Sequence, residues 1–105
     1  MIIDLSATEL NEYLKNNEPF ILDVREKWEW DKCHFDNATL MPMGQIMANL
    51  DSLDKNKETV IVCHHGIRSM QVARYFASIG FENIINLRGG IDAWAKEVDQ
   101  SMALY

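Results

Sequence analysis

Residues 59–63 read "TVIVC", a largely β-branched run with no polar alternation. A strand with one wet face alternates apolar and polar residues, whereas an unbroken run is covered on both faces, as in a parallel sheet between helical layers. Parallel neighbours need crossover connections, so that one run constrains the whole chain. The flanking sequence supplies them. "PFILDV" (19–24), "ATLMP" (38–42, stopped by Pro42) and "NIINL" (83–87) read as further short strands. Ser6-Ala7-Thr8-Glu9 is a capping box ahead of Leu10, Tyr13 and Leu14, which predicts a helix over 6–16. "EKWEWDKC" (26–33) predicts a short helix carrying Trp28 and Trp30, and "GQIMANLDSL" (44–53) another, ended by the solvated turn "KNKE". Val72, Ala73, Phe76 and Ile79 share one helical face over 69–79, with Gly80 placed as a left-handed cap; "RGG" turns into a last helix over 91–98. The expectation is a single α/β domain over 1–105, a small parallel β-sheet with helices on both faces.

Charge narrows the function classes. The chain carries 16 acidic against 10 basic residues, net −6, which disfavours a nucleic-acid partner. The imbalance reverses locally, since residues 63–90 hold Arg68, Arg74 and Arg88 against Glu82 alone. A small anion can approach there. Cys33 and Cys63 allow at most one disulfide, no basic leader opens the sequence, and no apolar run reaches membrane length. A reduced, cytoplasmic protein with no membrane partner is expected.

The strand "TVIVC" delivers Cys63 to the edge of the sheet where α/β proteins build their sites. His64 to Arg68 must then turn tightly into the helix expected at Ser69, and Gly66 permits the turn. Such a turn aims successive backbone N–H groups inward and makes an anion nest. Amides, helix dipole and Arg68 together favour a thiolate on Cys63, with Arg68 facing the anion. Two chemistries suit it: attack on sulfane sulfur, giving a persulfide, or attack on phosphorus or arsenic oxyanions. A buried structural cysteine is the plain alternative, and the glycine, arginine and helix start in close order argue against it.

Three segments carry a resemblance. "CHHGIRS" (63–69) matches the active-site pattern Cys-x-x-Gly-x-Arg-Ser/Thr of the rhodanese sulfurtransferases. "LDVREKWEWDKCHFDNA" (22–38) resembles the upstream Asp-Val-Arg segment of that family, and "GFENIINLRGGIDAW" (80–94) its closing Leu-x-Gly-Gly-x-x-Ala-Trp. The resemblance implies that Cys63 forms the persulfide and that the amides of His64, His65, Gly66, Ile67 and Arg68, leading into Ser69, cradle the sulfur. It implies that Asp23 and Arg25 brace the loop, with Arg25 expected to pair Glu26 or Glu29, and that Gly89, Gly90 and Trp94 are architectural. It further implies a small anionic sulfur donor such as thiosulfate, a thiol, cyanide or protein acceptor, and no metal or organic cofactor. The sequence departs from the family with Cys33 in a glycine position, Asp36-Asn37 for x-Gly, and His64-His65 where thiosulfate enzymes carry Arg-Lys.

Other readings fit less well. Zinc held by Cys33, His34, Cys63, His64 and His65 lacks the usual ligand spacing. His64 and His65 remain open as ligands, acid–base groups or plain polar loop residues. A persulfide carrier with little free turnover shares every motif above. A phosphatase or arsenate reductase is less consistent, because tyrosine phosphatases, which the loop resembles, place their arginine one position later than Arg68.

Overall fold

The computed structural model describes all 105 residues. Five parallel strands form one sheet in the order β1-β5-β4-β2-β3: β1 Ile2–Leu5, β2 Phe20–Asp23, β3 Ala38–Leu40, β4 Thr59–Val62 and β5 Ile84–Leu87. Every position of β4 and β5 is buried, as the unbroken apolar runs require. There are four α-helices: α1 Ala7–Tyr13, α2 Lys27–Lys32 and α3 Ile67–Ser78 connect strands, and α4 Gly90–Glu97 follows β5. The strand side chains divide between two cores. Leu22, Ile61, Cys63 and Ile84 pack with Val72, Ala73 and Phe76 of α3, while Ile21, Val60, Val62, Ile85 and Leu87 pack with Leu10 of α1 and Ile91 and Trp94 of α4. Helices therefore cover both faces, as expected. No helix is long and apolar enough to cross a membrane.

Strand β1 has no counterpart in the sequence reading. It lies at the sheet edge beside β5, with Ile3 and Asp4 exposed, so it shows neither an apolar run nor clean alternation. The helix expected over 44–53 is also different. Met43–Gln45 and Met47–Ser52 form two 3-10 turns, with Asn49 leaving helical geometry at φ −120° and ψ 17°. Only Ile46 of this stretch is fully buried, with Leu50 and Leu53 partly buried against the same core, too little apolar cover to hold a regular helix. The box predicted at Ser6 does form: the Ser6 hydroxyl accepts from the Glu9 N–H, and the Glu9 carboxylate accepts from the Ser6 N–H at 2.8 Å. α1 then ends at Tyr13, three residues earlier than predicted.

The C-terminal ends of β4 and β5 are joined by backbone contacts that admit no side chain at Gly90. The Ile91 N–H donates to the Cys63 carbonyl at 2.9 Å, and the Asp92 N–H to the His64 carbonyl at 3.1 Å. Gly90 sits at φ +65°, and a Cβ there would lie 2.2 Å from the His64 carbonyl oxygen. That collision is with backbone, so no rotamer relieves it. Gly90→Ala is expected to cost at least about 3 kcal/mol, read as a clear fall in Tm. Gly44→Ala, at a position with no atom within 4 Å of the added Cβ, should leave Tm almost unchanged. Equal melting of the two variants would contradict the packing described.

Candidate active site

Cys63 follows the last residue of β4 and is 1% exposed. Its Sγ accepts from the Gly66 N–H at 3.0 Å and the Ser69 N–H at 3.3 Å, and its thiol donates to Ser69 Oγ at 3.2 Å. The helix starts at Ile67, earlier than the predicted Ser69, so Ser69 already lies in the first turn of α3. Gly66 caps it at φ +93°, the left-handed geometry that folds the chain back over the sulfur. The Gly66 carbonyl accepts from Asn86 Nδ2 at 3.4 Å, and the same amide group donates to Asp4 Oδ1 at 2.9 Å, which ties the loop to β5 and β1. Ile67 is 71% exposed, so its side chain faces solvent rather than the sulfur. The α3 terminus thus aims two backbone N–H groups, those of Gly66 and Ser69, at one sulfur atom.

Arg68 differs from expectation. Instead of facing an open nest, its Nη1 and Nη2 donate to Glu29 Oε2 and Oε1 at 2.7 and 2.8 Å. Glu29 is 3% exposed and fully engaged, also accepting from the Glu26 N–H at 2.9 Å and the Tyr105 hydroxyl at 3.0 Å. The Arg68 fork, ahead of opposing burial, holds the Glu29 carboxyl down at about 2. Arg68 is thereby positioned rather than free.

Arg25 pairs neither the Glu26 nor the Glu29 carboxylate. It is wholly buried and forms a two-pronged bond to Asp23, Nε to Oδ1 at 2.9 Å and Nη2 to Oδ2 at 2.7 Å. Its remaining N–H groups reach the Cys33 carbonyl at 2.7 Å, the Glu29 carbonyl at 3.3 Å and the Tyr105 hydroxyl at 2.9 Å. The nearer carboxylate wins because Asp23 and Arg25 leave the end of β2 side by side, and the planar fork matches it. Asp23 and Arg25 thus hold α2, which carries Glu29 to Arg68.

The two loop histidines behave differently. His64 is sandwiched, its ring 3.8 Å from that of Tyr105 at an 8° tilt and 3.9 Å from that of His65. Burial, then the neighbouring His65, pushes His64 below the usual imidazole value, so it is neutral at neutral pH. His65 is exposed, with Nε2 3.8 Å from Asp92 Oδ2. The zinc ligand set weighed from sequence is not assembled. His34 stacks on Trp30 with Nδ1 2.8 Å from the Trp30 carbonyl, and the residues grouped around the histidines are His64, His65 and Asp92. The Asp92 carboxylate is already paired with Lys96 at 3.0 Å. Both cysteines are free.

The rhodanese-like domain family model matches residues 6–97. The chain belongs to that family. Among curated relatives, it is 33% identical over 104 residues to the probable adenylyltransferase/sulfurtransferase MoeZ of Mycobacterium tuberculosis, covering 96% of this chain and 26% of MoeZ. It therefore spans about a quarter of that protein's length. It is 31% identical to the thiosulfate sulfurtransferase GlpE of Coxiella burnetii, covering 90% of this chain and 88% of GlpE. The crystal structure of a rhodanese-like domain protein from Staphylococcus aureus superposes with a TM-score of 0.82 at 36% identity, covering 91% of this chain and 94% of that one.

Sequence reasoning about this rhodanese-like domain missed Glu29 as the partner of Arg68, and it missed Tyr105 altogether. Glu29 left a faint signal as the third helical residue of α2, where it caps the Glu26 N–H. Tyr105 follows "SMAL", which has no pattern to read. The depressed Glu29 carboxyl stabilises the fold fully above the ordinary value of 4.5 and ceases to do so as pH falls through about 2. Glu29→Gln should therefore be less stable than the parent at neutral pH by about 2–3 kcal/mol, with the difference narrowing below about pH 4. Denaturant melts across that range check it; a constant difference would remove the assignment.

Proposed function

We propose that this rhodanese-like domain is a sulfurtransferase working through a persulfide on Cys63. The observation that carries the reading is the pair of N–H groups, Gly66 and Ser69, aimed at one sulfur atom at the start of α3. The Cys63 thiolate attacks the outer sulfur of a small anionic donor such as thiosulfate. An S–S bond to Cys63 forms as the donor's own S–S bond breaks, and sulfite leaves with the electron pair. A thiolate, cyanide or protein nucleophile then takes the terminal sulfur, and Cys63 departs as thiolate. The loop amides and the α3 terminus stabilise the anionic sulfur in both steps. Arg68, fixed by Glu29, lends positive potential beside the loop. Neither a metal nor an organic cofactor enters the scheme. The relatives named sulfurtransferase support the general class, and the GlpE name supports thiosulfate as donor.

The persulfide-carrier reading draws on a different observation, the near-complete cover of Cys63 at 1% exposure. Thiosulfate–cyanide turnover separates the two: multiple turnovers per Cys63 are expected for the enzyme and a single transfer for the carrier. Intact mass after thiosulfate should show one added sulfur, removable by cyanide, in the parent and in Cys33→Ser but not in Cys63→Ser. Sulfur mapped to Cys33 would overturn the assignment.

The loop is also short for phosphoryl chemistry. Arg68 follows Cys63 by five positions and Ser69 takes the next. The ring of amides is correspondingly tight, and backbone donors do not swing away as side chains do. Aryl phosphates should give no Cys63-dependent turnover; sustained release of phosphate, lost in Cys63→Ser, would contradict this.

A further inference from the structure

Tyr105 is the side chain that ties the segment after α4 to the loop around Cys63. Its hydroxyl is fully used, accepting from Arg25 Nη1 at 2.9 Å and donating to Glu29 Oε1 at 3.0 Å. Its ring lies flat on His64 at 3.8 Å and meets Trp28 edge-on at 5.8 Å. Burial, with Glu29 adding to it against Arg25, pushes the phenol up to about 12, so it stays a neutral donor.

The rest of the segment is loosely held. Its backbone bonds after Val98 are local: Asp99 N–H to the Trp94 carbonyl and Met102 N–H to the Asp99 carbonyl, with Ser101 N–H on the Asp99 carboxylate at 3.0 Å. Behind it runs a groove of about 760 Å³, walled by residues 31–37 on one side and by Asp99, Ser101, Met102 and Ala103 on the other. Met102 packs against the second core, and beyond it the segment is fixed by Tyr105. Opening it means releasing two hydrogen bonds, the His64 stack, the Trp28 edge contact and the ring's packing on the second core, with no strand or helix disturbed.

We propose that Tyr105 is a gate over the Cys63 site, setting by its position the size of molecule that reaches the sulfur. The gate deepens the sulfur-transfer reading and rests on it for its purpose. Closed, the phenol lies on the ring of His64, the residue next to Cys63, and Cys63 itself is 1% exposed. Displaced, it frees the outer face of His64 and the Glu29–Arg68 pair for the donor and then for the acceptor. Small anions need a brief opening, and bulky thiols or proteins need the ring moved aside.

Alkylation of Cys63 in a Cys33→Ser background reads access without any sulfur chemistry. N-methylmaleimide and N-benzylmaleimide share one reaction and differ in bulk. Tyr105→Ala should raise the benzyl rate about tenfold and the methyl rate only about two- to threefold. Tyr105→Phe keeps the ring but loses both hydrogen bonds, and should fall between parent and alanine variant. An unchanged ratio of the two rates in both variants overturns the gate. If Tyr105→Ala melts near the assay temperature, the phenylalanine variant decides alone, and a parent-like ratio there is fatal. Because no sulfur is transferred in this assay, a shifted ratio in a protein that takes up no sulfur from thiosulfate would refute the sulfur-transfer reading and leave the gate on the thiol standing.

Discussion

Two backbone hydrogen bonds, from Ile91 to the Cys63 carbonyl and from Asp92 to the His64 carbonyl, set the position of everything that faces the sulfur. They are made by the first turn of α4, whose unsatisfied N–H groups need acceptors in any case. Because they seize the carbonyls of Cys63 and His64, the amides that follow turn the other way. The Gly66 and Ser69 N–H groups converge on Sγ as a result. A single crossing between two strand ends thus orients donors on one side by occupying acceptors on the other. Gly90 makes the crossing possible, and the paired glycines of "LRGG" have a mechanical reason to be there.

Around this crossing the charged groups form a chain in which each holds the next. Asp23 fixes Arg25, Arg25 holds the end of α2 through the Glu29 and Cys33 carbonyls, and Glu29 fixes Arg68. Buried ion pairs add little net stability over apolar packing, but breaking one leaves an uncompensated charge. The chain is better understood as a positioning device. It keeps the Arg68 guanidinium from swinging onto Sγ, since Arg68 is committed to a carboxylate with two strong bonds. Electrostatic preorganisation of this sort needs no rearrangement when charge develops on sulfur.

The sheet and the loop were legible in the sequence for a common reason. β2, β4 and β5 are covered on both faces, so burial left nearly unbroken apolar runs, and the tight turn after Cys63 demanded glycine. β1 escaped because an edge strand with Asp4 at the surface need not be apolar. The 44–53 stretch reads as a helix because apolar residues recur there, yet only Ile46 is fully buried, while Leu50 and Leu53 pack at the edge of the core. Ion-pair partners were the least legible. Arg68 with Glu29, at a separation of 39 residues, is decided by where two elements meet in space, which no local pattern encodes, and Arg25 chooses among three nearby carboxylates by geometry at the end of β2. Tyr105 escaped for the same reason: its partners Arg25, Glu29 and His64 lie far back in the sequence.

On the proposed reading, the Gly66 and Ser69 amides that converge on Cys63 Sγ also hold the transferred sulfur. Backbone amide NMR spectra of the whole chain, recorded before thiosulfate, after thiosulfate and after cyanide, test it directly. The account predicts that the Gly66 and Ser69 signals move most on loading and return with cyanide, while those of β1 and β3 stay in place. Cyanide-reversible sulfur loading that leaves the Gly66 and Ser69 amides unmoved would contradict it.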